Sequence, residues 1–282
     1  MTTLPADIAE FEYVSGQYRD TFPPLLGSFA QRSDAAAARA DARLDIAYGD
    51  HPRQLFDLYP ATGGEARLTL VYFHAGYWQS RDKSTFRFVA DRLSRAGLNV
   101  AMVNYPLCPD VSVAQLVRMA AEALPRIMTD TAGLPMVLSG HSAGGHIAVE
   151  LAAMCPAMGI VAAGVVGISG VYDLRDLIGT SLNVKLRLDA NSASEASVVL
   201  RAAAEMPPAL FLVGETETEA FRTQTRRMAD AWRAAGNVCG EYVVMGADHF
   251  SILENLTDPF DPVHAAVLAL AQAQDGQSAV TI

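Results

Sequence analysis

The chain has 282 residues, of which 51% are hydrophobic and 18% charged. That is enough apolar material for one large buried core and too much for a disordered chain. Lys and Arg total 21 against 31 Asp and Glu, a net charge of −10; an acidic chain without a basic run is unsuited to nucleic acid or to anionic membranes. The three cysteines, Cys108, Cys155 and Cys239, lie far apart. Neither a disulfide framework nor a zinc knuckle is expected, and a reducing, cytoplasmic setting fits.

Residues 1–13 carry neither a basic n-region nor an apolar h-region, so no signal peptide is expected. Residues 1–42 read as helices added outside the main fold. From there on, short β-rich runs alternate with helical patterns. The strand candidates are 44–47, 53–59, 68–73, 100–104, 136–139, 161–168, 209–213 and 241–245. The middle ones are continuous apolar runs, as parallel strands covered on both faces require. The longest apolar stretch, 159–168, is far short of a membrane span.

Between the strands, 83–96 places Phe86, Val89, Ala90 and Leu93 on one stripe, with Asp82 as N-cap and Gly97 past the end. Residues 112–128 are helical but contain Pro125, which should kink or shorten the helix. Helices are also expected over 143–155, 220–235 and 262–273, and an irregular, cap-like excursion over 172–206. The alternation predicts a single α/β domain, 1–282, built on a mostly parallel, doubly wound sheet of eight strands with helices on both faces.

The strongest local signal is Gly140-His141-Ser142-Ala143-Gly144, which follows an apolar strand and opens a helix. This is the strand–turn–helix setting of a nucleophile elbow, in which small flanking residues let the serine project above the sheet. The second signal is Phe73-His74-Ala75-Gly76-Tyr77-Trp78, directly after another core strand. A loop in that place supplies oxyanion-hole N–H groups, assigned here to Gly76 and Tyr77 together with Ala143. Tyr77, Trp78 and His141 are expected to line the substrate pocket. The His74 side chain reads as a structural imidazole, because it comes too early in the chain to be the base.

A serine nucleophile needs a base, and the base needs an orienting acid. Only His146, His249 and His264 follow Ser142. His146 sits just behind the elbow and His264 inside a helical pattern, which leaves His249, just past the strand at 241–245. The acid should follow the strand at 209–213. Glu217, three residues after Gly214, is the choice, with Glu215 as fallback and Asp173 as a weaker alternative on the preceding strand. Asp248 reads as a loop-fixing residue. Arg81, Lys83, Arg175 and Lys185 are candidate partners for a substrate carboxylate, and each reads more simply as solvated surface. There is no G-x-G-x-x-G after a strand, no P-loop, no H-E-x-x-H and no paired Cys, so no cofactor or metal is expected.

The segments GHSAGGH, FHAGYWQSRDKSTF, NYPLCPDVSVAQLV, SGVYDLRDLIGTSLNVKLRLD, VGETETEAFRTQT and GADHFSILENL together resemble the kynurenine formamidase (arylformamidase) family. That family lies in the hormone-sensitive-lipase-like branch of the α/β-hydrolases. The resemblance runs from about Asp45 to the end of the last helix in unbroken segment order. It implies an α/β-hydrolase fold, a Ser142–Glu217–His249 triad and hydrolysis of an N-formyl aryl amide. A carboxylesterase acting on small or aromatic esters would share every one of these residues, and a catalytically silent binding protein is the third reading. The implied partner is a small-molecule substrate, with no nucleic acid and no membrane; a homodimer stays open. Related sequences usually read HGGYW where Ala75 stands here, and more often place Asp at the acid position.

Overall fold

The computed structural model describes residues 3–272. In chain order it contains α1 (Ala6–Tyr13), α2 (Phe22–Ala37), β1 (Arg43–Ala47), β2 (Leu55–Tyr59), β3 (Thr69–Phe73), α3 (Arg87–Arg95), β4 (Asn99–Val103), α4 (Val113–Ala121), α5 (Ala123–Asp130), β5 (Met136–His141) and α6 (Ala143–Met154). There follow β6 (Ala162–Ile168), α7 (Asn183–Leu186), α8 (Ala190–Glu195), β7 (Ala209–Gly214), α9 (Glu219–Ala234), β8 (Cys239–Val244), α10 (Ile252–Thr257) and α11 (Pro262–Gln272). The eight strands form one sheet in the order β1-β2-β4-β3-β5-β6-β7-β8. Only the β1–β2 and β2–β4 pairs are antiparallel; the rest of the sheet is parallel.

The continuous apolar runs explain why the central strands sit in the middle. Every residue of β3, β5 and β7 is buried, and the two-residue strand period deals their side chains to opposite faces. Val71, Phe73 and Leu138 join a core with Ile147 and Leu151 of α6 and Phe221, Met228 and Trp232 of α9. Leu70, Tyr72 and Val137 join a second core with Phe29 of α2, Val89 and Leu93 of α3 and Val267 of α11. The expected sheet with helices on both faces is thus present. The segment between β6 and β7 carries only short helices, whose Leu177, Leu186 and Ala193 close over the α6 face of the sheet.

Local signals set several boundaries. Asp82 accepts a hydrogen bond from the Ser84 N–H at 3.0 Å, capping a 3-10 turn over Lys83–Phe86 that leads into α3. Gly97 follows α3 at φ +91°. The helical pattern at 112–128 is broken between α4 and α5 at Glu122, three residues ahead of Pro125, whose ring and missing N–H oppose an uninterrupted helix. The expected last residue of the C-terminal helix, Ala273, lies outside the described residues. Among the described residues no helix is long and apolar enough to cross a membrane.

Of the four cations expected on solvated surface, Lys185 is exposed, Arg81 and Arg175 are half-buried, and Lys83 departs furthest. Lys83 is 2% exposed and its Nζ lies 2.6 Å from both Asp45 and Asp57. Asp57, on β2 and fully buried, also accepts from Arg87 Nε at 2.7 Å and from the Asp45 N–H at 2.8 Å. A lysine read locally as solvated is therefore the cation of a buried network that ties α3 to the antiparallel end of the sheet.

Candidate active site

Ser142 lies between the end of β5 and the start of α6, at φ 57° and ψ −120°. A non-glycine residue holds such a conformation only where its surroundings enforce it. The enforcement is steric. A Cβ added to Gly140 would meet Gly144 O at 2.1 Å, and one added to Gly144 would meet Phe73 O at 2.0 Å. These two glycines let α6 press against the ends of β5 and β3 and turn the chain within one residue. The Ser142 N–H donates to Ile168 O at 2.8 Å, fixing the elbow to β6. Ala143 is the first residue of α6, so its N–H has no acceptor within the helix.

His249 and Glu217 come from the loops after β8 and β7. The His249 Nδ1 lies 2.7 Å from Glu217 Oε2. A carboxylate can only accept, so Nδ1 carries the proton and Nε2 is left as the basic nitrogen. The other carboxylate oxygen, Oε1, accepts from Ser169 Oγ at 2.5 Å and from the Gly214 N–H at 2.8 Å. Those two donors aim the longer glutamate side chain at the imidazole. Ser142, Glu217 and His249 are all buried. Glu215, the fallback, turns elsewhere: its Oε2 accepts from the Gly246 N–H at 2.9 Å. Asp173 is taken up by Arg175 Nη2 at 2.7 Å and Arg227 Nη2 at 2.8 Å. Burial works against its charge, but the guanidinium hydrogen bonds prevail and bring its pKa down to about 2. Asp248 accepts from the N–H groups of Phe250 and Ser251 at 3.0 and 2.8 Å, and so fixes the loop that bears His249.

The loop after β3 is unusual in its backbone. Gly76, Tyr77, Trp78 and Arg81 all have positive φ, at 139°, 49°, 57° and 70°. Among the described residues the N–H groups of Gly76 and Tyr77 meet no acceptor. Long-range contacts hold the loop. Tyr105 Oη donates to His74 O at 2.7 Å, the Cys108 N–H to Trp78 O at 2.8 Å and Arg53 Nη2 to Arg81 O at 2.9 Å. Asp82 accepts from Asn104 Nδ2 at 2.6 Å and from Arg53 Nη1 at 3.2 Å. His74 is buried, stacked on Tyr105 with ring centroids 4.4 Å apart, and bonded to Ala75 O through Nδ1 at 2.7 Å. Burial pushes its pKa down to about 4, so it is a neutral structural imidazole.

Two expected pocket residues are fully buried. Trp78 is fully buried, and its Nε1 donates to His146 Nδ1 at 3.3 Å. The loop's left-handed turn points the indole into the core behind α6. His141 is also fully buried, with Nε2 2.6 Å from His249 O. Burial, and then the neighbouring His249, hold its pKa well below the usual histidine range. A neutral imidazole facing a carbonyl must donate from Nε2, so His141 holds the His249 loop. Tyr77 is only partly buried, and its hydroxyl donates to Tyr13 O.

That last contact exposes a contribution from the N-terminal region. Thr218 Oγ1 donates to Glu12 O at 2.7 Å, Gln17 Nε2 to Thr218 Oγ1 at 2.9 Å and Arg19 Nη2 to Thr216 O at 2.8 Å. Phe22 packs edge-on against Phe250 with centroids 4.8 Å apart. Residues 12–22 thus bridge the Tyr77 loop, the Glu217 loop and the His249 loop. The excess of long-range polar contacts here has no local sequence signal. His146 likewise serves structure, its Nε2 lying 2.8 Å from Ala196 O at the end of α8, as does His264, with Nδ1 2.8 Å from Leu256 O. A cavity of about 340 Å³ between α1 and α9, lined by Tyr13, Asp173 and Gln224 among others, includes none of Ser142, Glu217 or His249. Among the described residues no group of His, Cys, Asp and Glu is arranged to hold a metal ion.

Residues 70–253 match the profile of a family described as alpha/beta hydrolase fold. The chain is similar to the kynurenine formamidase of Danio rerio, 28% identical over 239 residues that make up 80% of each chain. It is similar also to that of Drosophila melanogaster, 31% identical over 231 residues, 74% of this chain and 75% of the relative. Among solved structures it superposes on a candidate thioesterase from Silicibacter sp. with a TM-score of 0.83 and 29% identity, over 92% of this chain and 98% of the other.

Proposed function

Because the chain belongs to the alpha/beta hydrolase fold family, and within it to the kynurenine formamidases, we propose that it hydrolyses an N-formyl aryl amide through an acyl-enzyme on Ser142. The observation that carries this reading is the 2.7 Å contact of Glu217 with His249 Nδ1, on a loop whose His249 carbonyl meets His141, the residue before Ser142, at 2.6 Å.

In this scheme His249 Nε2 takes the Ser142 hydroxyl proton as Oγ attacks the formyl carbon. Glu217 holds the imidazole in the required tautomer and stabilises its charged form. The carbonyl oxygen gathers negative charge, which the N–H groups of Gly76, Tyr77 and Ala143 receive. Loss of one such donor raises the barrier by about 3–4 kcal/mol. The tetrahedral intermediate collapses, the C–N bond breaks, and His249 passes its proton to the departing aryl amine. Water, deprotonated by the same nitrogen, then attacks the formyl ester, releasing formate and restoring Ser142. A cytoplasmic setting accords with the free state of Cys108, Cys155 and Cys239.

A carboxylesterase would use the same atoms with an alkoxide or phenoxide leaving group, and the likeness to a candidate thioesterase, which would also pass an acyl group to water, keeps that reading beside the first. A comparison of kcat/KM on N-formylkynurenine with that on p-nitrophenyl esters, with Ser142→Ala as control, separates them. Efficient formamide hydrolysis supports the formamidase. Rapid ester turnover with none of the formamide would replace it with the esterase.

A further inference from the structure

Arg81 stands apart from the other cations. Among the described residues its guanidinium makes neither a hydrogen bond nor an ion pair, although the chain carries 31 carboxylate side chains. The other cations in that condition, Arg92, Arg118, Lys185 and Arg187, are all exposed, whereas Arg81 is half-buried. Its nitrogens are not among the sealed, unpartnered polar atoms, so the donor fork opens onto solvent-accessible space. A guanidinium with five donors, drawn partly out of water and given no protein acceptor, is an arrangement that folding alone does not favour.

Its position is at the site. The Arg81 Cζ lies 4.8 Å from the centroid of the Phe250 ring, and that ring lies 5.3 Å from the His249 ring and 5.6 Å from the His141 ring. The charge is also within electrostatic reach of the Tyr77 hydroxyl and of His141. Burial lowers the Arg81 pKa from its ordinary value, partly offset by Tyr77. The backbone is held in place to present it: Arg81 has φ 70°, a region a long side chain rarely occupies, and its carbonyl is clamped by Arg53 Nη2 at 2.9 Å. The neighbouring Asp82, the obvious intramolecular partner, is instead engaged by Arg53, Asn104 and the Ser84 N–H.

We propose that Arg81 is the anionic anchor of the site, its planar fork binding a carboxylate of the substrate while Ser142 attacks the acyl carbon. The inference rests on the hydrolase reading above and deepens it: the preferred substrates are acyl compounds whose aryl leaving group carries a carboxylate. In an N-formylated aryl amino acid of the kynurenine type, seven bonds separate the formyl carbon from the carboxylate carbon. That is roughly 8 Å when extended, given bond lengths near 1.5 Å, which suits the span of one ring between the imidazole and the guanidinium. Guanidinium is the side chain suited to this task, because it meets a carboxylate through two parallel N–H donors.

The test uses two substrate pairs on wild type, Arg81→Gln and Arg81→Lys. One is N-formylkynurenine against neutral formanilide; the other is 3-acetoxybenzoate against phenyl acetate. The readout is the ratio of kcat/KM for the charged member to that for the neutral one. Arg81→Gln is expected to lower that ratio by roughly 10- to 100-fold, the span for a lost hydrogen-bonded charge partner. The change should sit in KM, with Arg81→Lys in between. A ratio the same in all three proteins overturns the inference, whatever the absolute rates. Wild type supplies a measurement that needs no variant: inhibition of phenyl acetate hydrolysis by kynurenine against its methyl ester. Inhibition by the free acid that is at least tenfold tighter, and weakened by salt, supports the anchor; equal inhibition by acid and ester overturns it. If wild type hydrolyses neither formamide while the ester-pair ratio still depends on Arg81, the formamidase reading fails and the anchor stands. If the formamides are hydrolysed and the ratio ignores Arg81, the anchor fails alone.

Discussion

The elbow at Ser142 and the loop after β3 both hold backbone that ordinary residues avoid, and they differ in how much of their support comes from distant side chains. At the elbow the strain falls on one residue, and its support is local: Gly140 and Gly144, two positions to either side, remove the Cβ atoms that would prevent the close approach. In the loop three non-glycine residues, Tyr77, Trp78 and Arg81, share the positive φ. Gly76 gives local support, its carbonyl accepting from the Gln79 and Ser80 N–H groups and its missing Cβ leaving room for Ser80 O, but much of the rest is remote, coming from Arg53, Asn104, Tyr105 and Cys108. A turn stabilised by absent atoms is rigid and intolerant of substitution. A loop stabilised by polar side chains can be loosened gradually, and its mutants should keep their fold.

The largest effect expected from this contrast is at Gly144. Gly144→Ala drives a Cβ to 2.0 Å from Phe73 O, and neither backbone can yield without separating α6 from β3. A loss of at least ~3 kcal/mol of stability and of measurable turnover is expected. Urea denaturation and an ester assay check it, and a stable, active Gly144→Ala protein would break the comparison. Next is Asp82→Ala, which removes the acceptor for Arg53 and Asn104 without touching the elbow. Here kcat should fall roughly 10- to 100-fold, because a small displacement of positioning groups is costly to the barrier, while the far-UV spectrum stays native. If kcat is unchanged, the polar network does not shape the loop.

The smallest effect is a pH dependence shared by both regions. His74 in the loop and His141 at the elbow have pKa values below that of an exposed histidine because both are buried. Their folded forms are neutral where the unfolded chain would bind protons. The stability they contribute is fully present above about pH 6.5 and is lost as the pH falls through the range between the unfolded value and the folded one, which for His74 is about 4. Each should give a slope of about 1.4 kcal/mol per pH unit within its range. His74→Gln and His141→Gln, compared by urea midpoints at pH 7.5 and 5.5, should each flatten the curve. A wild-type midpoint that does not fall over that interval would show that neither imidazole is held neutral.

The same contrast explains what was legible in the sequence. Each of the eight strands lies within two residues of its expected limits, and the central ones are the plainest because buried parallel strands are written as unbroken apolar runs. The elbow announces itself through its glycines, and the Asp82 cap and the Pro125 break are local as well. What escaped depends on residues far apart in the chain. Lys83 reads as a surface lysine until Asp45 and Asp57 close around it. That Trp78 and His141 are fully buried and bonded to His146 and to the His249 carbonyl is likewise set by partners far along the chain. Residues 12–22 look like an addition outside the sheet, yet their carbonyls and side chains join three loops of the site.

Everything proposed for this site requires Ser142 to be a nucleophile activated by a His249 that Glu217 orients. Reaction of the folded protein with a fluorophosphonate, followed by peptide mass spectrometry, tests it most directly. One adduct is expected, on Ser142, absent from Ser142→Ala and formed far more slowly in His249→Asn and Glu217→Gln. Folded wild-type protein in which Ser142 stays unmodified, or is modified as fast without His249, would contradict it.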